Sequence, residues 1–240
     1  MNSAWYNMIT KIPFGYSKKV KQGREVAMAL KKALKTTESV FIDVGCHRGA
    51  VLDLALKIAP KGDHYAFEAI PAFYEKLIPK FENFVYLKNT AITNYIGETE
   101  FTVVESNPSL SGIKERDYPK SEKIVKIKLK ANTLDNALSD CQEVDVIRVD
   151  VEGGEFEVID GAKGIIFKHK PIIMFEHQQG AADYYKNGPD KMWNLVVDQL
   201  GMKIFTLSGY INRKKEINKS HFKLLFDTGQ ETLFVASYEG

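Results

Sequence analysis

Apolar residues recur along the chain in two alternating patterns. Short runs that are almost wholly apolar, such as "SVFIDV" at 39–44 and "VDVIRV" at 144–149, are typical of parallel strands covered on both faces. Between such runs, apolar residues return at intervals of three or four, as Val26, Leu30 and Leu34 do, which indicates amphipathic helices. The order strand-helix-strand-helix-strand predicts an α/β fold with a parallel sheet and right-handed crossovers.

The same patterns give an approximate extent for each element. Strands are predicted at 39–44, 64–69, 84–89, 98–105, 124–130, 144–149, 170–177, 202–207 and 231–237. Helices are predicted at 24–36, 48–58, 71–82, 133–139, 154–167 and 189–200. We expect one domain at 39–240, preceded by an arm and a helix at 1–38, with residues 1–20 covering or approaching the site.

Composition changes this picture little. The 240 residues are 44% hydrophobic and 27% charged with a net charge of +2, so nothing indicates a nucleic-acid or membrane partner. No apolar stretch approaches the ~20 residues that span a bilayer, and we expect no secretory signal. The two cysteines, Cys46 and Cys141, show neither a pairing pattern nor metal-type spacing. These features predict a cytoplasmic protein without disulfides.

Acidic residues follow several of the predicted strands. In an open parallel sheet, ligands bind beyond the carboxyl ends of the strands, so residues at those ends are candidates for a site. Four such ends carry a carboxylate, and together they are too many to be isolated helix caps: Asp43, Glu68, Asp150 and Glu176.

A glycine-framed loop, "GCHRG" at 45–49, follows the first of these strands. It is neither the G-x-G-x-x-G dinucleotide fingerprint nor the phosphate loop that ends in lysine and a hydroxyl residue, and it suits a triphosphate with magnesium poorly. Glu68 lies 19 residues past Gly49, where a carboxylate can accept hydrogen bonds from both hydroxyls of a ribose. The spacing therefore leaves NAD and S-adenosylmethionine both open.

Five segments, taken in order, resemble the motifs of the FkbM family of S-adenosylmethionine-dependent methyltransferases. They are "FIDVGCHRGAVLDLAL", "YAFEAIPAFYEKL", "TLDNAL", "VDVIRVDVEGGEFEVIDGA" and "PIIMFEH". The resemblance covers roughly residues 39–178, and "DVEGGE" with the downstream "GA" is its most specific part. The chain departs from the family pattern at Cys46 and His47, where alanine and asparagine are usual, at Arg148, which replaces a lysine, and at Ile70, which separates the acidic residue from proline.

The resemblance implies a Rossmann-like class I methyltransferase fold, with a seven-stranded, mostly parallel sheet, its last strand antiparallel, and helices on both faces. It implies S-adenosyl-L-methionine as cofactor and O-methylation of a hydroxyl on a saccharide or secondary metabolite, so the partner is a small-molecule or glycan acceptor. The candidate cofactor-binding residues are Asp43, Gly45, Cys46, His47, Arg48, Gly49, Glu68, Ala69, Asn89, Thr90, Ala91 and Asp150.

Methyl transfer to a hydroxyl requires a base near the oxygen. Of the residues at the strand ends, His177 has the most suitable ordinary pKa and is the first choice, and Asp150 is the second. Glu152 and Glu176 are further candidates, either as bases or with a divalent cation, but we expect catalysis without a metal. The polar segment 106–123, with Ser109, Ser111 and Tyr118, is expected to lie over the acceptor as a mobile lid.

Two functions from other classes remain as alternatives. One is an NAD-dependent, sugar-modifying oxidoreductase, for which Tyr184-Tyr185-Lys186 is the nearest approach to a tyrosine-lysine pair, although its spacing does not match the short-chain pattern. The other is a non-catalytic nucleotide-binding module, against which the acidic residues at the strand ends argue.

Overall fold

The computed structural model describes residues 18–118 and 122–239. The arm predicted at 1–20 lies almost wholly outside these ranges, as does the 119–121 part of the polar segment. The helices are α1 (Lys18–Ala33), α2 (Ala50–Ile58), α3 (Pro71–Phe81), α4 (Leu134–Ala137), α5 (Glu155–Asp160), α6 (Lys163–His169), α7 (Pro189–Trp193), α8 (Leu207–Ile211) and α9 (Lys219–Thr228). The strands are β1 (Phe41–Val44), β2 (His64–Phe67), β3 (Val85–Lys88), β4 (Ala91–Ile92), β5 (Gly97–Val104), β6 (Ile124–Asn132), β7 (Val146–Val149), β8 (Ile172–Glu176), β9 (Lys203–Thr206) and β10 (Leu233–Ser237).

Seven strands form the main sheet, in the order β3-β2-β1-β7-β8-β10-β9. Every neighbouring pair is parallel except the two that involve β10, which is antiparallel to both β8 and β9. The predicted class I fold is therefore confirmed. Strand order reverses between β1 and β7, so the crevice at the carboxyl ends of these two strands is the expected ligand position.

Helices cover both faces of this sheet, which explains why its strands read as apolar runs. Ile42 and Val44 of β1 pack into one core with the helices α5, α6 and α9. Phe41 packs into the other core, which includes Leu30 of α1 and Leu52 of α2. All four residues of β1 are buried, and Asp43 is among them. No helix in the described part of the chain has the length and apolar character needed to cross a bilayer.

The structure differs from the predicted pattern in several places. Helix α8 lies where no helix is predicted, and the helix predicted at 189–200 is α7 followed by a π-helix at Asn194–Gln199. β5 and β6 are antiparallel and join β4 in a separate three-stranded sheet, which the sequence pattern does not indicate. The single helix predicted at 154–167 is divided into α5 and α6 at Gly161, because the chain there lies against the Thr93 carbonyl, and a Cβ would stand 2.3 Å from that oxygen. Helix α9 was not predicted, although its Asn218 cap accepts a hydrogen bond from the backbone of His221.

The turns that follow β1, β2 and β7 are packed directly on one another. The backbone N–H of Gly45 donates to the carbonyl of Phe67 (2.9 Å), and that of Asp150 donates to the carbonyl of Val44 (3.0 Å). Gly45 has φ +83°, and a Cβ there would stand 1.9 Å from the carbonyl oxygen of Asp150. Only glycine fits this position, because both the backbone angle and the space exclude a side chain.

We expect Gly45→Ala to lower the free energy of unfolding by at least about 2 kcal/mol, because strain and a backbone clash act together. The matched control is Gly23→Ala in α1, where a Cβ meets nothing within 4 Å. That control should be neutral or stabilising by about 0.5–1 kcal/mol, since alanine favours the helix. Chemical denaturation of both variants measures the difference between their free energies of unfolding. Equal values would show that the turns after β1 and β7 can move apart without loss of stability.

Candidate active site

A cavity of about 850 Å³ lies at the carboxyl edge of the main sheet. Residues from the ends of β1, β2, β7 and β8 line it, and α1 and the segment after β5 close its sides. This volume is typical of sites for small ligands and cofactors. A groove of about 760 Å³ also lies beside Tyr65, Tyr86 and Cys141, but none of the four strand-end carboxylates lines it. The site is therefore assigned to the cavity at the sheet edge.

Glu68 connects the glycine loop to the turn after β2. Its Oε2 accepts a hydrogen bond from the backbone N–H of His47 (2.6 Å), and its Oε1 accepts one from that of Ile70 (2.9 Å). The side chain is buried, and burial raises the pKa of this carboxyl to about 7. Each carboxylate oxygen keeps a further lone pair, so Glu68 can still accept hydrogen bonds from a ligand in the cavity.

The structure brings some of the predicted cofactor residues to the cavity and leaves others behind its wall. Seven of them line it: Gly45, His47, Glu68, Ala69, Thr90, Ala91 and Asp150. Asn89 lies behind them, and its side-chain amide donates to the carbonyls of Glu68 (2.7 Å) and Ala69 (3.1 Å). Asn89 therefore shapes the turn, and we do not expect it to touch a ligand.

Three residues of the glycine loop also face away from the cavity. Cys46 is buried in the core between the sheet and α2, where burial raises the pKa of its thiol far above the usual range. The exposed guanidinium of Arg48 lies 6.0 Å from the ring centroid of Phe73. Gly49 has φ +76° and begins α2, with its Cα against Leu77 and Phe81 of α3. These positions fit a scaffold role, and only their backbone lies near the cavity wall.

Arg148 of β7 holds two of the carboxylates together. Its Nη1 donates to Oδ1 of Asp43 (2.8 Å), and its Nη2 donates to Oδ2 of Asp150. Burial raises the pKa of Asp43, and the Arg148 guanidinium opposes that rise. Burial lowers the pKa of Arg148, but the carboxylates of Asp150 and Asp43 outweigh it and hold the pKa above the ordinary value. Asp43 therefore supports the site from beneath and does not reach the cavity itself.

The sequence marked Arg148 only as a departure from the family pattern, not as a site residue. A signal for it existed, because Arg148 is two residues before Asp150 and both therefore lie on one face of β7. Register in the sheet then places Arg148 directly beside Asp43 of β1. The Asp43-Arg148-Asp150 network was predictable once β1 and β7 were taken as neighbours.

Asp150, Glu152 and Glu176 form a cluster of carboxylates in the cavity wall. One oxygen from each lies within 4.8 Å of the others. Burial raises the pKa of Glu152 to about 8, and Asp150 adds to the effect. Burial raises the pKa of Glu176 to about 9, again with contributions from Asp150 and Glu152. The carboxyls of Glu152 and Glu176 therefore hold their protons more strongly than carboxyls in water do.

The turn "DVEGGE" creates this cluster. Glu152 has φ +61° and Gly153 has φ +108°, which turns the chain sharply after β7. The Glu155 carboxylate accepts hydrogen bonds from the backbone N–H groups of Val151 (3.1 Å) and Gly153 (3.0 Å), and so fixes the turn at the start of α5. Glu155 is thus structural, as its place in the first turn of a helix predicts.

The spacing of the three carboxylates would also admit a divalent cation, which prefers oxygen ligands. Acidic groups at such distances are common without an ion. We assign no metal to the site.

The prediction that His177 is the general base does not fit the structure. His177 is buried on the face of β8 opposite Glu176, and its ring lies 4.7 Å from that of Phe226 and 5.8 Å from that of Phe222. It does not line the cavity, and neither ring nitrogen has a hydrogen-bond partner among the described residues. Burial lowers its pKa to about 3, so the ring stays neutral. His177 is a core residue.

The walls of the cavity contain side chains that the sequence did not single out, although the sequence predicts that segment 106–123 lies over the acceptor. Gln22, Gly23 and Val26 of α1 line one side. Arg116, from the segment after β5, lines another and is buried. Both contributions depend on contacts between parts of the chain that are distant in sequence, and no motif marks them.

A family model, the methyltransferase FkbM domain, matches residues 43–203 of this chain. The chain belongs to the FkbM methyltransferase family. The match includes the glycine loop, Glu68 and the carboxylate cluster. Membership confirms the predicted family and S-adenosylmethionine as the cofactor, and it leaves no support for an NAD-dependent oxidoreductase.

Several solved structures are similar to this FkbM chain. A methyltransferase FkbM from Methylobacillus flagellatus KT is 11% identical with a TM-score of 0.46; the alignment covers 97% of this chain but only 58% of that one. A precorrin-6y C5,15-methyltransferase from Geobacter metallireducens GS-15 is 14% identical with a TM-score of 0.46, and the alignment covers 95% of this chain and 94% of that one. The plantazolicin methyltransferase BpumL, in complex with SAH, is 10% identical with a TM-score of 0.44, and the alignment covers 97% and 92% of the two chains.

At such identities and TM-scores these structures carry no argument about substrate or residue roles. No curated protein matches the chain by sequence. The roles of its residues therefore follow from its own geometry.

The tyrosines of the oxidoreductase alternative have other partners in this FkbM domain. The Tyr185 hydroxyl accepts hydrogen bonds from the backbone N–H groups of Ile113 (3.1 Å) and Lys114 (3.3 Å). The Tyr184 hydroxyl lies 3.3 Å from a carboxylate oxygen of Asp117. Both tyrosines therefore hold the segment after β5, and neither forms a pair with Lys186 for proton transfer.

We expect Glu68→Gln to weaken the binding of S-adenosylhomocysteine by about 1.5–3 kcal/mol, since a charge-assisted hydrogen bond to a ribose hydroxyl is lost. Titration calorimetry measures the change. Glu75→Gln, an exposed carboxylate on α3, is the matched control and should bind as the wild type does. If Glu68→Gln is folded and keeps full affinity, Glu68 does not contact the cofactor.

The raised pKa of Glu176 predicts how stability depends on pH. Between its ordinary pKa of 4.5 and its folded-state pKa of about 9, the carboxyl ionises in the unfolded chain but stays protonated in the folded one, so stability falls as pH rises. We expect Glu176→Gln to stabilise the ligand-free protein by roughly 1 kcal/mol or more at pH 8, or about 2–4 °C in Tm, with little effect at pH 5. Thermal unfolding at both pH values tests this, and a gain of equal size at pH 5 would point to packing as its cause.

Proposed function

We propose that this FkbM methyltransferase transfers the methyl group of S-adenosylmethionine to a hydroxyl oxygen of a saccharide or secondary metabolite, with Glu152 as the base. The observation that carries the proposal is the carboxylate cluster, which lies in the same cavity as the glycine loop and Glu68. A base works best when its pKa lies near the working pH, and burial raises that of Glu152 to about 8.

The cavity separates into a part suited to the cofactor and a part suited to the acceptor. Bound S-adenosylmethionine supplies an electrophilic methyl group. Gly45 and His47 would border its amino-acid tail, Glu68 would hold the ribose hydroxyls, and Thr90 and Ala91 would lie near the adenine. The opposite part contains Glu152 and the segment after β5, and there the acceptor hydroxyl gives its proton to Glu152.

Charge supports S-adenosylmethionine and a neutral acceptor in this cavity. The cofactor carries a sulfonium, an ammonium and a carboxylate, so its net charge is positive. Glu68, Asp150, Glu152 and Glu176 line the cavity together with Arg116 and Arg148. A cationic ligand favours the ionised form of these carboxyls, whereas an anionic acceptor opposes it. The side chains of Ser109, Gln178 and Gln179, which also line it, offer both donors and acceptors to a polyhydroxylated molecule.

His177 no longer serves as the first candidate for the base, and Asp150 is already engaged by Arg148. Burial raises the pKa of Glu176, and Asp150 raises it further. Glu152 remains: its ion pair with Arg116 is long, at 3.7 Å, and it stands on a turn fixed by Glu155.

We expect Glu152→Gln to lower the rate of methyl transfer by about 10²–10⁴-fold, because the amide cannot accept the proton, while affinity for S-adenosylhomocysteine changes little. The assay is transfer of labelled methyl from the cofactor into a panel of neutral glycans and hydroxylated metabolites. Asp198→Asn, an exposed carboxylate far along the chain, is the control.

Two outcomes would redirect the proposal. Unchanged transfer by Glu152→Gln would make Asp150 or Glu176 the base. Loss of transfer on chelation, with recovery on addition of magnesium, would show that the cluster holds a cation.

A further inference from the structure

Arg116 lies in the segment that connects β5 to β6, yet its side chain is buried against the turn at 150–155, which we name the catalytic turn. Its Nη2 donates to the backbone carbonyl of Glu152, 36 residues away in sequence. The same nitrogen lies 3.7 Å from Oε2 of Glu152, and the Arg116 side chain is only 5% exposed. Arginine is rarely so buried in a polar connection unless it has a partner to hold.

Three charged neighbours of Arg116 in this connection, Lys114, Glu115 and Asp117, are exposed. Arg116 also lines the cavity, and its Nε is buried without a hydrogen-bond partner among the described residues. An unpaired buried donor is unfavourable, so this nitrogen is available to a ligand or to a rearranged carboxylate. Arg116 is therefore inserted into the site and does not lie on a solvated surface.

A second contact holds the same segment beside the catalytic turn. The Tyr185 hydroxyl accepts hydrogen bonds from the backbone of Ile113 and Lys114. Gly112 pairs with Thr102 through two backbone hydrogen bonds of 2.9 Å and 3.0 Å, which anchors the segment to β5. Residues 106–118, which we name the acceptor segment, are thus docked by Tyr185 and by Arg116.

We propose that Arg116 is a positioning residue, which fixes the Glu152 carboxylate for proton transfer and makes assembly of the carboxylate cluster depend on docking of the acceptor segment. The proposal deepens the proposed function, because it rests on Glu152 as the base.

The charges around Glu152 explain why a cation is needed there. Burial raises the pKa of Glu152, the carboxylates of Asp150 and Glu155 raise it further, and Glu152 in turn raises the pKa of Glu176. Arg148 is already paired with Asp43 and Asp150. Arg116 lowers the pKa of Glu152 against burial and these carboxylates. Without Arg116 the pKa of Glu152 would rise further, and a smaller fraction of Glu152 would be ionised and able to accept the proton.

The test follows the titration of Glu152 directly, by carbon NMR of the full chain labelled at glutamate carboxyls, with Glu152→Gln to assign the signal. Arg116→Met should raise the midpoint by about one pH unit, a tenfold change in proton affinity. Arg116→Lys keeps the charge and should restore part of the shift. Lys128→Gln, which removes an exposed cation from β6, should leave the midpoint unchanged.

Hydrogen exchange on the same proteins tests the docking. Protection of the acceptor segment should fall in Arg116→Met and in Tyr185→Phe, and the Glu152 midpoint should rise in both, since Tyr185→Phe loosens the segment without altering charge. An unmoved midpoint in Arg116→Met would overturn the positioning role, and an unmoved midpoint in Tyr185→Phe would overturn the dependence on docking. If Arg116→Met does not fold, Arg116→Lys and Tyr185→Phe still decide.

Neither measurement requires an acceptor or methyl transfer. Failure of this inference is therefore distinguishable from failure of the proposed function, which the transfer assay on Glu152→Gln tests separately.

Discussion

The active edge of the sheet depends on one guanidinium. Arg148 lies between Asp43 and Asp150, and without it the buried carboxylate of Asp43 and the half-buried carboxylate of Asp150 would stand side by side at the ends of β1 and β7. Removing one member of a buried charge network typically costs about 3–5 kcal/mol, because the partner is left uncompensated. The network also closes the seam at which strand order reverses, where the turns after β1 and β7 meet. The contact between these two turns keeps the wall of the cavity in place.

The other carboxylates of the cavity are less closely paired with cations, and their pKa values are raised as a result. A methyltransferase can use this property. Glu68, Glu152 and Glu176 have pKa values raised to about 7, 8 and 9, with burial as the first cause for each. A site that disfavours its own ionised carboxylates gains stability when a cationic ligand enters. The same raised pKa values make the carboxylates stronger bases than carboxylates in water. Partial burial of like charges therefore favours both the binding of a cationic cofactor and the transfer of a proton to a carboxylate.

The scaffold of this site could be predicted well from the sequence, because it follows from patterns within short segments. Buried strands read as apolar runs, and the rule for parallel sheets then collects Glu68, Asp150 and Glu176 at one edge. His177 failed for a reason that the sequence also contained, since neighbouring residues on a strand face opposite sides. Phe175 and His177 lie in the core with α9, whereas Glu176 faces the cavity. Arg116 and the α1 contacts were beyond such reasoning, because they join segments that share no motif, no period and no neighbouring strand.

The cavity has walls of two kinds, one formed by strand ends and the other by α1 and the acceptor segment, and this difference affects which acceptors it can admit. The residues proposed to hold the cofactor stand on strand ends and on the glycine loop, and strand register fixes them. The residues on the acceptor side come from α1 and from the acceptor segment, which depend on a few side-chain contacts such as those of Tyr185 and Arg116. Loops on a rigid scaffold can change without disturbing the core. The acceptor segment can therefore be altered to admit a different hydroxyl compound while the cofactor pocket is retained, provided that it still delivers a cation to Glu152. In the proposed mechanism, the choice of acceptor and proton transfer both depend on the contact between Arg116 and Glu152.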